Sequence, residues 1–349
     1  MKTSNTPPCD PKRRSFLKSC ALLGLGSAGV ALLPSERAEA LLFGHKEHKV
    51  SQTKLAMGSF LAITIIHPSQ GAAEEAMGLA FDEVERLSKL LSRHEASTPV
   101  AELNRTGRLE GAPPEVLAVV NRSLFYHRLT SGAFDVTVQP VVDLFKTDFA
   151  ADHRPTEAEI AALLPRIGSE HLEVSDKTIA FRRDGMGITL DGIAPGYIVD
   201  RVSALLVKLG APNHLINCSG DIRTSGTAAN GGRWTVAIQD PNHQQAYPDI
   251  LTMGTGAIST SGSYEIFYDQ EQTFHHIVSP QTGHSPTLAT SVTTVANSVM
   301  DADALATGLM VMPPAEAIRW VSQQTWCQCF IVGRDKTTVQ SPGWSSTLA

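Results

Sequence analysis

Between residues 72 and 92 the apolar side chains Met77, Phe81, Val84, Leu87 and Leu91 recur every three or four positions, with Glu and Lys in between. That spacing puts them on one side of a helix and predicts an amphipathic helix over 72–92. The preceding stretch, 54–67, is rich in branched residues such as Ile63, Ile65 and Ile66 and predicts one β-strand. A second helix is predicted over 114–129, with Pro114 at its start, and a third over 156–167, with Thr156 as its N-cap. Residues 172–174 and 178–181 read as a hairpin around Ser175-Asp176-Lys177.

After Gly187 strands and helices alternate. A helix over 195–209 is stopped by Gly210. Strands are predicted over 214–217, 234–238, 254–259, 274–278 and 291–296, helices over 302–312 and 315–324, and a last strand over 327–332. No fixed-period repeat and no low-complexity linker divides residues 50–340. They read as one α+β unit with a mixed sheet and flanking helices, in one or two lobes.

The first forty residues have a different grammar. Lys12-Arg13-Arg14-Ser15-Phe16-Leu17-Lys18 precedes an apolar run of 14 residues, Cys20 to Leu33, and then Ala38-Glu39-Ala40. A charged region, a short apolar core and a small-x-small site predict an export signal over 1–40, and the run is shorter than the roughly 20 residues a membrane span needs. The paired arginines resemble the twin-arginine signal, so the expected location is the periplasm, with membrane association if the signal is retained. Gly24-Leu25-Gly26-Ser27-Ala28-Gly29 matches a dinucleotide fingerprint, but no strand precedes it and no acidic residue follows at the right distance.

Composition excludes more than it selects. The 349 residues carry 29 Lys and Arg against 35 Asp and Glu, a net charge of −6, which gives no basic face for a nucleic-acid binder. Cleavage after Ala40 would remove six basic and three acidic residues and leave the mature chain at −9. Cys218, Cys327 and Cys329 lack metal-ligand spacing, and the last two, on one face of a predicted strand, read as buried apolar residues in preference to a redox pair.

Chemistry-bearing residues collect in four segments: 130–135, 189–197, 217–223 and 259–307. Asp303, Ala306 and Thr307 stand at i, i+3 and i+4 of a predicted helix, so a carboxylate and a hydroxyl share one face. Such oxygen ligands suit Mg²⁺; equally, Asp303 could be a first-turn acid favoured by the helix dipole and Thr307 a packed core hydroxyl. Of His275 and His276, β alternation turns one inward.

In order along the chain these segments resemble the ApbE family, the FAD:protein FMN transferases. The resemblance runs from Met57-Gly58 to about Val311. It is carried by Gly132-Ala133-Phe134-Asp135, by Asp191-Gly192-Ile193-Ala194-Pro195-Gly196-Tyr197 with Asp200, and by Asn217 with Ser219-Gly220-Asp221-Ile222-Arg223. Thr260-Ser261-Gly262-Ser263-Tyr264, His276-Ile277-Val278-Ser279-Pro280-Gln281-Thr282-Gly283 and Ala302-Asp303-Ala304-Leu305-Ala306-Thr307 complete it.

The resemblance implies an Mg²⁺-dependent enzyme that moves the FMN half of FAD onto a Thr or Ser hydroxyl of a flavoprotein of a respiratory or reductase complex, releasing AMP. Gly192 through its carbonyl, Asp303, Ala306 and Thr307 would hold the metal. Met57, Ala133, Phe134, Asp135, Thr189, Asp191, Pro195 and Val278 would line the FAD pocket, with His94 near the place of an aromatic that stacks on the flavin. His276 would assist deprotonation of the acceptor, and the Thr260-Ser261-Gly262 turn would border the site. The usual second motif is Asp-Leu-Gly-Gly-Ile-Ala-Lys-Gly-Tyr; here Thr189, Asp191 and Pro195 replace the Asp, the first Gly and the Lys, and Ser279 replaces the Asp of an Asp-Pro pair. A periplasmic FAD carrier and an FAD pyrophosphatase are the competing readings. With few spare cations, the chain is expected to hold an anionic dinucleotide through Mg²⁺, backbone amides and glycine turns.

Overall fold

A computed structural model describes residues 47–241 and 247–345 and the backbone of 347–348. The export signal over 1–40 and the glycine run within it lie outside the described residues. The described residues belong to one unit, Lys46–Ala349, and no helix among them is long and apolar enough to cross a membrane.

The first half contains β1 (His48–Ala56), β2 (Ser59–His67), α1 (Gln70–Leu91), α2 (Pro99–Thr106), β3 (Arg108–Leu109), α3 (Pro114–Leu129), α4 (Gln139–Ala150), α5 (Glu157–Leu163), β4 (Leu172–Ser175) and β5 (Thr178–Phe181). There follow α6 (Ala194–Lys208), β6 (Asn213–Cys218), β7 (Asp221–Ser225), β8 (Trp234–Ala237), β9 (Ile250–Met253), β10 (Gly256–Gly262) and β11 (Ala289–Ala296). The chain closes with α7 (Val299–Val311), α8 (Pro314–Val321), β12 (Gln328–Gly333), β13 (Thr338–Gln340) and β14 (Thr347–Leu348).

Eight strands form an antiparallel sheet in the order β1-β2-β6-β7-β10-β11-β12-β13. Strand alternation divides its side chains between two cores. Leu61, Ile63 and Ile65 of β2, Ile216 of β6 and Cys329 and Ile331 of β12 join the main core with α1, α3, α6 and α7. Ile66, Ile222, Ile258, Phe330 and Val332 pack with the small sheet β14-β9-β8, whose β14–β9 pair is parallel. A third cluster joins Val141 and Phe145 of α4 and Ile160 of α5 to Phe274 and Val278, with the Phe145 and Phe274 rings edge to face at 5.0 Å.

Several predicted elements change. Residues 54–67 are not one strand: the chain reverses at Met57-Gly58, where φ is +52° and +74°. A two-residue hairpin with both φ positive normally carries Asn or Asp first, so Met57 gave no turn signal. Residues 274–278 form no strand, only an isolated bridge between Phe267 and His275; their apolar side chains are satisfied by the third cluster. The helix expected over 156–167 starts with a capping box between Thr156 and Glu159, but it ends at Leu163, ahead of a 3₁₀ turn containing Pro165. Cys218, Cys327 and Cys329 are free and buried, and burial pushes the Cys327 and Cys329 thiols up to about 12, as suits inert core residues.

Candidate active site

The site begins where α6 meets α7. Ser298 caps α7 by accepting from the Asp301 amide at 3.1 Å. From α6, Asp200 accepts from the amides of Val299 and Met300 at 3.1 and 2.9 Å, so two free N–H groups of the first turn of α7 are met by a neighbouring helix. The helices touch backbone to backbone at Gly196, where a Cβ would lie 2.5 Å from the Val299 carbonyl oxygen. This approach lets the Gly196 amide donate to Asp303 Oδ2 at 3.1 Å.

Asp303 is 4% exposed, and no Lys, Arg or His forms an ion pair with it among the described residues. Burial, reinforced by the Asp221, Asp191 and Asp200 carboxylates and only partly opposed by the Gly196 amide, raises its carboxyl well above the usual range. Asp221, at the start of β7, accepts from Ser259 Oγ at 2.6 Å, and burial pushes it up to about 7. One turn along α7 from Asp303, Thr307 Oγ1 lies 3.2 Å from Ser261 Oγ of β10. A Cβ on Gly192 would come within 2.8 Å of Thr307 Oγ1, so glycine lets this backbone reach the hydroxyl. Gly192, far from α7 in sequence, is thus brought against Thr307, one turn along that helix from Asp303. Ala306 is fully buried in α7, and its methyl offers no ligand atom.

The turn carrying Asp191 and Gly192 is fixed by its neighbours. Leu190 and Ile193 are buried in the main core, the Ala194 amide donates to the Leu190 carbonyl at 2.8 Å, and the Thr189 amide donates to the Val136 carbonyl at 2.8 Å. Pro195 follows, half-buried, in the first turn of α6. Asp191 points outward and lies 3.6 Å from the Arg93 guanidinium.

His276 is half-buried, and its Nδ1 lies 3.1 Å from the Ile266 carbonyl oxygen. A carbonyl only accepts, so Nδ1 carries the proton and Nε2 of the neutral ring keeps a free lone pair. Burial lowers the His276 pKa, with the Ile266 carbonyl and Asp191 opposing, so the ring is neutral at pH 7. Its neighbour His275 is wholly buried, donates from Nε2 to the Pro286 carbonyl at 2.9 Å, and is lowered by burial to about 4. One histidine is therefore structural and the other available, although 274–278 form no strand whose alternation could sort them.

The remaining candidates are spread over several elements. Phe134 is buried against Gly308 of α7 and edge to face with Tyr126, and Ala133 is half-buried beside it. Asp135 is saturated: it accepts from the Thr137 amide and hydroxyl, from the Ser169 amide and hydroxyl, and faces His127 Nδ1 at 3.0 Å. Burial alone would raise its pKa, but His127 and these donors bring it below the ordinary value. Val278 lies in the third cluster, Met57 occupies the β1–β2 turn, and His94 stands exposed beyond α1. Sequence reasoning gave no role to Asp221, Ser259 or Arg93. The first two sat within polar segments already noted, whereas nothing local marked Arg93.

The ApbE family model matches residues 57–331. The FAD:protein FMN transferase of Vibrio cholerae is 32% identical over 286 residues, covering 79% of this chain and 86% of that protein. That of Salmonella typhimurium is 30% identical over 308 residues, covering 84% and 87%. The solved flavin transferase ApbE from Vibrio cholerae superposes with a TM-score of 0.74 at 26% identity, covering 85% of this chain and 98% of that one. The chain belongs to the ApbE family and is a flavin transferase.

Proposed function

We propose that this enzyme moves the FMN half of FAD onto a Thr or Ser hydroxyl of an acceptor flavoprotein, with Mg²⁺ as cofactor and AMP as the leaving product. The observation that carries the reading is the meeting of Gly192, Asp303 and Thr307 around an uncompensated buried carboxylate. A hard divalent cation fits that donor set: it would hold Asp303 ionised against the burial that otherwise favours its protonated form, and a Cβ at 192 would fill the space beside Thr307. Bound there, Mg²⁺ supplies neutralisation of charge on the diphosphate and on the departing phosphate.

The protein's own groups handle the proton. Nε2 of His276 accepts it from the acceptor hydroxyl as that oxygen bonds to the phosphorus of the FMN half. The bond from that phosphorus to the AMP oxygen breaks, its electron pair leaves with AMP, and the proton passes from His276 to solvent. The twin-arginine pattern supports a periplasmic setting and an acceptor that is exported or membrane-bound.

The test is incubation with FAD, Mg²⁺ and an FMN-binding acceptor domain, followed by mass spectrometry. The expected result is an adduct of FMN mass on the acceptor, stoichiometric AMP, and neither product with Asp303→Ala. FAD retained without AMP would identify a carrier, and AMP with free FMN in the absence of acceptor would identify a pyrophosphatase.

A further inference from the structure

Arg93 follows α1 with its side chain only 9% exposed. One edge of the guanidinium is anchored: Nη1 donates to Asp143 Oδ1 at 2.7 Å, and the other Asp143 oxygen is held by the Gln139 amide. The other edge is not. Nε is buried and makes no hydrogen bond; it faces Asp191 Oδ2 at 3.6 Å, beyond hydrogen-bond length. Asp191 itself is 59% exposed, so burial falls on the cation while its second partner stands in water.

An arginine cannot shed its charge, and a buried donor without a partner is costly. The arrangement is out of balance by one acceptor, and it is so next to Gly192, at the turn that meets Thr307. A planar fork held at one edge and uncommitted at the other matches two oxygens of a phosphate.

We propose that Arg93 is a recognition residue for the diphosphate of the dinucleotide substrate, its Nε edge exchanging Asp191 for a phosphate oxygen when the substrate arrives. Asp143 holds the guanidinium in place throughout. Asp191 is the placeholder that keeps the cation paired beforehand, and its exposure lets it turn to water at little cost. The inference rests on the FAD-dependent reading above.

The experiment measures binding of FAD, and of riboflavin, which has no phosphate, to the full-length enzyme in Mg²⁺ by calorimetry. The proteins are wild type, Arg93→Gln, Arg93→Lys, Asp191→Asn and the Arg93→Gln/Asp191→Asn double variant. A charge-assisted hydrogen bond of about 1.5–3 kcal/mol corresponds to a loss of roughly 10- to 100-fold in FAD affinity for Arg93→Gln. Riboflavin affinity is expected to be unchanged, and Arg93→Lys to recover part of the loss. Removing the placeholder has the opposite sign: Asp191→Asn tightens FAD binding, and that gain disappears when Arg93 is Gln. Equal weakening of FAD and riboflavin by Arg93→Gln would reduce Arg93 to a structural role. Weakening of FAD by Asp191→Asn, or a gain that survives in the double variant, would also overturn the exchange. A wild-type protein that binds no FAD would instead defeat the function it rests on, so the two failures are separable.

Discussion

Gly196→Ala inserts one methyl where α6 and α7 have no room for it. The new Cβ would stand 2.5 Å from the Val299 carbonyl oxygen, 2.7 Å from the Val299 carbonyl carbon and 2.8 Å from the Met300 Cα, while real Cβ contacts essentially never fall below 3.0 Å. All three obstacles are backbone, so no side chain can turn aside. The helices must part by about 0.5 Å to reach the shortest tolerable contact, and by about 0.9 Å for ordinary packing. Overpacking of this kind costs about 1–3 kcal/mol, offset by roughly 0.5–1 kcal/mol because alanine is the better helix former. The net destabilisation lies between about 0 and 2.5 kcal/mol, at most a few degrees in Tm for a chain of this size.

The effect on chemistry should be larger than the effect on stability. The parting helices carry the two ends of the Gly196 to Asp303 hydrogen bond and the cap from Asp200 to Val299 and Met300. A displacement approaching 1 Å at a reacting centre can cost about 100-fold in rate. The assay pairs a thermal melt with initial rates of FMN transfer on the same preparation. A Gly196→Ala protein with both the Tm and the rate of wild type would refute the claim that this backbone contact sets the position of Asp303.

Other outcomes follow from the titrating groups. His276→Ala should lower transfer by about 10²- to 10⁴-fold with FAD binding retained; the wild-type rate should have an acid limb below the ordinary imidazole range, read from kcat/KM against pH, that the variant lacks. Asp221 has a folded pKa of about 7 against an unfolded value of about 3.9, so the native state binds more protons in between and its contribution to stability falls as pH rises through that window. Buried His214, His275 and His276 are lowered and push the other way, so the readout is a difference: in EDTA, the Tm of Asp221→Asn minus that of wild type should grow from pH 4 to 7, and a flat or shrinking difference would contradict the burial argument. Replacing Arg13 and Arg14 with lysine should leave the protein in the cytoplasm, as read by fractionation and immunoblot.

What the sequence made visible was decided locally. Met77, Phe81, Val84, Leu87 and Leu91 of α1 are all buried as their spacing required, α3 keeps its expected limits, and α6 ends where Gly210 takes φ +82°. The short α2 was missed although Thr98 caps it, Pro99 opens it and Gly107 closes it at φ +74°, because two buried residues make too faint a period. At the site, the Asp303 and Thr307 pair was legible as a helical spacing. Its meeting with Gly192 came from the family resemblance, since two glycine contacts with α7, at Gly192 and Gly196, are long-range facts. Arg93 was illegible for the same reason: it is defined by Asp143 and Asp191, and neither lies near it in the chain.

The expectation that backbone amides would hold the anionic dinucleotide has to be narrowed. Helix N-termini are natural anion sites, and α6 and α7 begin beside the centre. Yet the amides of Val299 and Met300 are already given to Asp200, that of Asp301 to Ser298, and that of Gly196 to Asp303. These helix ends therefore stabilise the protein's own carboxylates and have little left for a phosphate. Each of Asp191, Asp200, Asp221 and Asp303 repels an approaching diphosphate to the extent that it is ionised, until a positive charge stands between. That charge must come from a cation held by Asp303 or from a side chain such as Arg93. The dependence of FAD affinity on Mg²⁺ should then be steep, and by linkage FAD should tighten Mg²⁺ binding by the same factor.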